Sequence, residues 1–317
     1  MALSKHESLL NRIHLYTPNP PYEWVSLQLF GMLGHGKSSL VNTCLYVVRR
    51  GDFRNVAGSG KSNFPITMER NDYILTPKVH ITDNRGLNMM TPEELEGISA
   101  QMSQLRSYSR VEWNRSIREK LDLIPEQFHH RPTEIIVPVF VYSVESLLTN
   151  ERYEELEPFI RQSHNITGIY PIVVLTKVGE NRDLASDNFN KFRKIGATNI
   201  FQVENYTVEK HERNPETESQ ILTFLITCLQ EADNRRTSRD PQYEFIHGAM
   251  EAVHDIIQRT DERHQARENI NEARIRDLEE TMETNKEEIG RLRQKCEDQE
   301  QELQRGIKRK KNKCRVM

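Results

Sequence analysis

The sequence predicts an α/β fold with a mostly parallel central sheet flanked by helices, followed by a long C-terminal helix that forms a coiled coil. Three observations predict it. Short β-branched runs alternate with helix-like stretches over about residues 24–233, a glycine-rich loop joins the first run to the first helix, and an apolar repeat with 3,4 spacing begins at Ile275. Strand–helix alternation favours a parallel sheet, because the crossover helices cover its faces.

Composition excludes several classes of protein. The 317 residues carry 44 Lys and Arg against 47 Asp and Glu, a formal net charge of −3. A chain so nearly neutral is no polybasic nucleic-acid binder, so we expect no nucleic-acid partner. The four cysteines are widely spaced and form no CxxC pair, which disfavours a zinc site or a disulfide framework. No run approaches the roughly 18 apolar residues of a membrane span.

Apolar runs bounded by turn residues predict the strands, and the stretches between them predict the helices. The predicted strands are Val25–Phe30, Lys78–Thr82, Ile135–Tyr142, Ile172–Thr176 and Ile200–Val203, with a further candidate near Tyr73–Leu75. The predicted helices are Lys37–Arg50, Thr91–Leu105, Asn150–Ser163, Asp187–Ile195 and Pro215–Asp233. Thr91, Pro92 and Glu94 form a capping-box start for the second of these helices.

Shifts in composition divide the chain. The predicted segments are an N-terminal extension (1–23), a nucleotide-binding domain (24–233) with a charged helical insertion at about 106–134, a polar linker (234–241), a long helix (242–304) and a polybasic tail (305–317).

The long helix carries an apolar seam with strict 3,4 spacing. The seam is Ile275, Leu278, Met282, Asn285, Ile289, Leu292, Cys296, Gln299 and Leu303. Seven of these nine positions are apolar, which is typical of a coiled coil and predicts a homodimer through this helix. The alternative is a single solvated helix held by i,i+4 ion pairs.

The glycine-rich loop matches the phosphate-binding pattern GxxxxGK[ST]. It runs from Gly31 to Ser38, directly after a predicted strand and at the start of a predicted helix, which is the context this pattern requires. Backbone N–H groups of such a loop curl around phosphate oxygens, the lysine reaches the β- and γ-phosphates, and the hydroxyl binds Mg²⁺. The predicted phosphate-binding residues are Gly31, Gly34, His35, Gly36, Lys37, Ser38 and Ser39, with His35 expected to matter only through its backbone.

A strand that ends in an acidic residue supplies the second part of a phosphate site. Asp83 and Gly86 form DxxG, in which Asp83 would hold Mg²⁺ and the Gly86 N–H would contact the γ-phosphate. Thr67 is the candidate for a further Mg²⁺ ligand in the triphosphate state. An ordinary Asp-Asn turn after a strand is the alternative.

The predicted base site departs from the pattern of guanine binders. Thr176 and Lys177 match the first two positions of [NT]KxD, and the lysine stem can lie along a purine ring. Gly179 occupies the position of the guanine-specifying aspartate in [NT]KxD, and Glu180 lies one residue after that position. Asn205 follows the last strand, where a base-contacting loop belongs. Purine binding is therefore expected, while the choice between guanine and adenine stays open.

With these motifs, the segment from Trp24 to Leu229 resembles the Ras-like class of P-loop GTPases. Within that class it is similar to the vertebrate interferon-induced protein 44 family. The likeness rests on the loop over Leu29–Asn42, on DxxG followed by Leu87, on the charged insertion, on the Leu-Thr-Lys-Val element and on Val203–Tyr206. Immunity-associated GTPases are a nearby alternative. The resemblance implies a P-loop G-domain fold that binds GTP or GDP with Mg²⁺, and a role in innate immunity.

The resemblance also suggests slow hydrolysis. Ras-like enzymes place a water-orienting glutamine just after DxxG, where this chain has Leu87, which cannot polarise water. Positioning and electrostatics supply most phosphoryl-transfer catalysis. A very low intrinsic rate is therefore expected, unless a partner or a second copy supplies an arginine or a polar group.

The last residues predict a lipid anchor. Cys314 lies four residues from the terminus in a farnesylation pattern, and six basic side chains lie just upstream of it. One lipid chain with a basic cluster gives stable attachment to an anionic membrane surface. A frayed basic tail or a nuclear-localisation cluster is the alternative. The expected location is cytoplasmic and membrane-associated.

Two functions follow as hypotheses. The first is a nucleotide-dependent switch or slow GTPase tethered to a membrane. The second is a nucleotide-insensitive pseudo-GTPase scaffold that acts through its coiled coil and lipid tail.

Overall fold

β-branched and other apolar residues form a central sheet. Its strands are β1 (Trp24–Phe30), β2 (Asn71–Thr76), β3 (Val79–Asp83), β4 (Glu134–Ser143), β5 (Ile172–Thr176) and β6 (Ile200–Val203), in the order β2-β3-β1-β4-β5-β6. β2 pairs with β3 antiparallel, and the other four pairings are parallel. The predicted mostly parallel sheet is confirmed.

These features come from a computed structural model, which describes residues 5–58, 70–103, 133–146, 148–179, 181–235 and 241–313. The chain divides into two compact units, Met1–Ile256 and Ile257–Met317. Nearly all of the predicted insertion lies outside the described residues, and its last residue, Glu134, belongs to β4.

Helices occupy both faces of the sheet. They are α1 (Lys5–His14), α2 (Lys37–Arg49), α3 (Pro92–Met102), α4 (Asn150–Thr167), α5 (Arg182–Lys194) and α6 (Pro215–Asn234), with α7 (Pro241–Lys313) following them. α1, α2 and α6 share one apolar core with residues such as Leu27 and Val139. α3, α4 and α5 share the other core with Phe30 and Phe140, which point to the opposite face because strand side chains alternate.

Local chemistry sets the helix ends. The predicted capping box is present: the Thr91 hydroxyl accepts the Glu94 N–H at 3.3 Å, and the Glu94 carboxylate accepts the Thr91 N–H at 3.4 Å. α4 continues past the predicted Ser163 to Thr167, whose hydroxyl donates to the Ser163 carbonyl, and a left-handed Gly168 ends it. α5 begins at Arg182, five residues before the predicted Asp187, because buried Ala185 also faces the core.

α1 lies in the segment that was expected to be only an extension. Leu10 and Ile13 are buried in the core shared with α6. A ten-residue helix is marginal in isolation. Packing against the rest of the first unit therefore stabilises α1, which local sequence signals alone did not predict.

The second unit consists of the C-terminal part of α7, a helix of 73 residues in total. The predicted seam residues Ile275, Leu278, Met282, Ile289 and Leu292 are 52–71% exposed, so this apolar stripe is uncovered in the single chain. Exposed ion pairs such as Arg276–Glu272 and Arg291–Glu287 also line the helix, each contributing only a few tenths of a kcal/mol. Within the described residues, no helix has both the length and the apolarity needed to cross a bilayer.

Candidate functional site

The predicted phosphate loop connects the carboxyl end of β1 to the start of α2. A Cβ on Gly31 would lie 2.2 Å from the carbonyl oxygen of Val141 on β4, so only glycine fits there. Gly36 caps α2 with a φ of 90°, a left-handed conformation that glycine adopts without strain. The sharp turn therefore requires the glycine spacing that the motif showed.

The start of α2 is arranged to receive an anion. No side chain of the capping residue closes the helix end. The first backbone N–H groups of a helix lack intrahelical acceptors and point outward along the axis, where they favour negative charge. The predicted residues Lys37, Ser38 and Ser39 supply this first turn, as expected from the sequence.

Lys37 is buried beneath the loop. Its Nζ donates to the carbonyl oxygens of Gly31 and Met32, both at 2.9 Å. Desolvation lowers the pKa of Lys37 to about 8, partly opposed by the nearby carboxylate of Asp83. An incoming phosphate would favour the protonated amine, because it adds negative charge beside a desolvated cation.

Ser38 and Asp83 meet at the ends of α2 and β3. The Ser38 hydroxyl donates to Asp83 Oδ2 at 2.6 Å, although 45 residues separate the two in sequence. Hydroxyl and carboxylate oxygens are hard ligands that suit Mg²⁺, which is usually held by one or two carboxylates plus substrate phosphates and water. The described residues contain no cluster of three or more His, Cys, Asp or Glu that would hold a metal ion without a substrate. The donor set therefore fits Mg²⁺ bound together with phosphates.

The segment after DxxG is bound to the phosphate loop. The N–H of Leu87 donates to the Gly31 carbonyl at 3.1 Å, and the N–H of Leu33 donates to the Leu87 carbonyl at 2.9 Å. Gly86 lies against Leu33. The Leu87 side chain is only 1% exposed and belongs to the apolar core with Phe30. Leu87 is thus a core residue whose backbone extends the β1–β3 pairing.

His35 acts through its side chain as well as its backbone, which corrects the sequence-based expectation. Its buried ring packs edge-to-face on Tyr142, Nδ1 accepts the Ser143 N–H at 3.2 Å, and Nε2 lies 3.1 Å from the Ser146 hydroxyl. Desolvation, with smaller effects of nearby cations including Lys37, lowers the pKa of His35 to about 3. The neutral ring therefore ties the phosphate loop to the end of β4.

The ends of β5 and β6 also hold the phosphate loop. The hydroxyl of Thr176 donates to the His35 carbonyl at 2.7 Å, and the amide of Asn205 donates to the Gly36 carbonyl at 3.3 Å. Thr176 is fully buried, so its role is to position the loop. The Asn205 Oδ1 atom is buried and has no hydrogen-bond partner among the described residues.

The predicted base region lies beside these contacts. Lys177 has a φ of 57°, and its Nζ forms an exposed ion pair with Glu145 at 2.9 Å. The Gly179 N–H donates to Glu204 Oε2 at 2.8 Å. Glu204 was not among the predicted site residues. The available signal was an acidic residue directly after the strand that neighbours β5.

The structure brings the other predicted residues together at the carboxyl ends of the parallel strands, where ligands bind in open α/β sheets. Three positions raised by the sequence, Thr67, Glu180 and Cys314, lie outside the described residues.

Comparisons with known proteins give a limited result. No family model matches the chain, and no curated protein does either. Two similar solved structures are Toc33 from Arabidopsis thaliana in complex with Mg²⁺ and GMPPNP and the same protein with GDP and Mg²⁺. The first has a TM-score of 0.43 and 14% identity and covers 74% of this chain and 95% of that one. The second has a TM-score of 0.39 and 15% identity, and the match covers 67% of this chain and 86% of that one.

A third similar structure is the translation elongation factor SelB from Methanococcus maripaludis with GppNHp. Its TM-score is 0.37 at 12% identity, over 70% of this chain and 36% of that one. TM-scores this low carry no argument about ligand or activity. The function is therefore inferred from the geometry of the site itself.

Proposed function

We propose that this chain is a guanine-nucleotide-binding switch protein with slow or partner-dependent GTP hydrolysis. The observation that carries the proposal is that Lys37, Ser38 and Asp83 lie together beside the start of α2, with Lys37 bonded to the loop and Ser38 bonded to Asp83. A phosphate bound there would meet helix N–H groups and a buried ammonium. Bound Mg²⁺, held by Ser38 and Asp83 and, in the triphosphate state, by Thr67, would supply neutralisation of the phosphate charge.

Slow hydrolysis is proposed because the residue just after DxxG has no polar side chain with which to orient water. The position that carries glutamine in Ras-like enzymes holds Leu87, whose side chain is buried in the core. The phosphate loop and Lys37 would position the phosphates and stabilise their charge, which lowers the barrier to GTP hydrolysis only in part. An arginine or polar group from a partner or a second copy would complete the site.

The second unit supports a proposed role in assembly and anchoring. The uncovered apolar seam of α7 would be buried by a second copy of the same helix. Prenylation of Cys314, with the basic residues before it, would tether the protein to the cytoplasmic face of an anionic membrane. The resemblance to the interferon-induced protein 44 family adds a proposed role in innate immunity.

The alternative is a nucleotide-insensitive scaffold that uses the coiled coil and the lipid tail. The burial of Leu87 and the absence of an aspartate at position 179 favour it. The buried Lys37 and the Ser38–Asp83 contact favour nucleotide binding, because burying a charged lysine costs free energy that a bound anion would help to offset.

Isothermal titration with GTP, GDP and ATP in the presence of Mg²⁺ tests nucleotide binding. We expect binding of GTP and GDP, weaker binding of ATP, and a loss of at least about tenfold in Lys37→Ala, which removes a charge-assisted contact to phosphate. No binding by the unmodified chain would favour the scaffold. A preference for ATP would overturn the guanine assignment.

Single-turnover hydrolysis of GTP tests the proposed role of Leu87. We expect a rate on the order of 10⁻³ s⁻¹ or slower, and no acceleration in Leu87→Gln, because the new amide would be buried in the core. Urea unfolding of Leu87→Gln should show a loss of about 1–3 kcal/mol for burying that amide.

Met89→Gln is the matched control, since Met89 is 60% exposed and its replacement should change stability by less than about 0.5 kcal/mol. Fast hydrolysis by the monomeric unmodified chain would contradict the proposal.

Sedimentation equilibrium tests the coiled coil. We expect the full chain to be a dimer, and Leu278→Lys/Leu292→Lys to weaken dimerisation by at least about a hundredfold, because four buried leucines per dimer are lost. Thr284→Lys/Gln294→Lys adds the same charge outside the seam and should leave the dimer intact. Equal weakening by both variants would argue for a general charge effect and against the seam.

Fractionation of expressing animal cells tests the lipid anchor. Cys314→Ser should move the protein from the membrane fraction to the supernatant, because stable anchoring takes a lipid chain and a basic cluster together. Cys296→Ser keeps the terminal pattern and should stay with the membranes. An unchanged membrane fraction in Cys314→Ser would refute the anchor.

A further inference from the structure

The predicted base site lacks its specifying carboxylate at the usual position. Thr176 and Lys177 are present, but Gly179 has no side chain to accept the N1–H and N2–H groups of guanine. If the proposed guanine binding is correct, another acceptor must reach that place. The inference that follows rests on the proposed function and identifies this acceptor.

Sheet register places the start of another loop beside Gly179. β5 and β6 are neighbouring parallel strands in which Thr176 is paired with Val203. The residues that follow the two strands therefore leave the same edge of the sheet side by side. Glu204 is the first residue after β6, as Lys177 is the first after β5.

The carboxylate of Glu204 reaches across to Gly179. Its Oε2 accepts the Gly179 N–H at 2.8 Å and lies 3.6 Å from the position that a Cβ on Gly179 would occupy. The carboxylate thus stands beside the place where an aspartate side chain at position 179 would begin. An aspartate there would also bring a second negative charge against Glu204, which is unfavourable.

The loop that carries Glu204 is fixed relative to the phosphate loop. The next residue, Asn205, donates its side-chain amide to the Gly36 carbonyl at 3.3 Å. The N–H of Tyr206 donates to the hydroxyl of Thr43 on α2 at 3.0 Å. Because the two residues that follow Glu204 are bonded to the phosphate-binding elements, the backbone at Glu204 is held at a set position relative to them.

The carboxylate of Glu204 can still accept hydrogen bonds from a ligand. Another carboxylate near the base region, that of Glu145, is paired with Lys177 at 2.9 Å. Among the described residues, no ion pair involves Glu204. An ionised carboxylate offers about four acceptor sites, so the bond to Gly179 leaves capacity for two more N–H donors.

We propose that Glu204 is the specificity-determining residue that selects guanine, taking over from the neighbouring loop the role of the aspartate missing at position 179. Guanine presents two N–H donors, N1–H and N2–H, to this carboxylate. Adenine presents an unprotonated N1, whose lone pair faces the negative oxygens. The site therefore accepts guanine and rejects adenine.

Isothermal titration of the full chain with four nucleoside diphosphates and Mg²⁺ tests the proposal. The probes are GDP, inosine diphosphate, which lacks the N2 amine, xanthosine diphosphate, which has a carbonyl there, and ADP. The unmodified chain should bind GDP more tightly than the other three. Glu204→Gln should lose about tenfold to a hundredfold in GDP affinity, since hydrogen bonds to a charged acceptor are lost.

The same variant should gain affinity for xanthosine diphosphate relative to GDP, because the new amide can donate to the xanthine carbonyl at C2. A misfolded variant would not gain affinity, so this gain also shows that the site is intact. Glu180→Gln is the matched control at the adjacent candidate carboxylate and should leave all four affinities unchanged.

Each other outcome overturns the proposal. If the ratio of GDP affinity to ADP affinity is unchanged in Glu204→Gln, Glu204 does not select guanine. A loss of GDP selectivity in Glu180→Gln would assign that role to Glu180. Equal loss of all four ligands in Glu204→Gln would indicate a structural role. Failure of the unmodified chain to bind any of the four would overturn the proposed function together with this inference, whereas the preceding outcomes leave nucleotide binding intact.

Discussion

The candidate site depends on how the carbonyl groups of the phosphate loop are bonded. A loop that turns its N–H groups toward an anion must turn carbonyl oxygens toward the protein, and buried carbonyls need donors. Here the Lys37 ammonium donates to the carbonyls of Gly31 and Met32. The Thr176 hydroxyl donates to the His35 carbonyl, and the Asn205 amide donates to the Gly36 carbonyl. Donors from α2, β5 and the loop after β6 thus hold one short segment in the conformation that binds phosphate.

This bonding links the phosphate region to the proposed base region. Thr176 and Asn205, which the sequence suggested as base-site residues, hold the loop. Glu204 directly follows β6 and reaches Gly179 in the loop after β5. The neutral ring of His35 adds a contact to the end of β4. The hydrogen bonds of Thr176 and Asn205 therefore connect the proposed base region directly to the phosphate loop.

Burial affects Lys37 and Leu87 in different ways. Lys37 is desolvated, which lowers its pKa and makes a nearby anion favourable. Leu87 is also buried, and it contributes apolar packing and two backbone hydrogen bonds to the loop. The buried Lys37 supports the proposed nucleotide binding, and the apolar Leu87 supports the proposed dependence on another molecule for rapid hydrolysis. The exposed seam of α7 provides a surface through which a second copy could be recruited.

Local patterns in the sequence were sufficient to predict the strands, most of the helices, the phosphate loop and the acidic residue at the end of β3, because each depends on spacing within a few residues. The capping box at Thr91 and the glycine at position 36 belong to the same kind of signal. Tertiary structure alone decided the docking of α1, the role of the His35 ring, the loop-holding role of Thr176 and the contact between Glu204 and Gly179. The docking of α1 depends on packing against α6. The other three features arise where strands distant in sequence end side by side, and only the register of the sheet determines which side chains meet there.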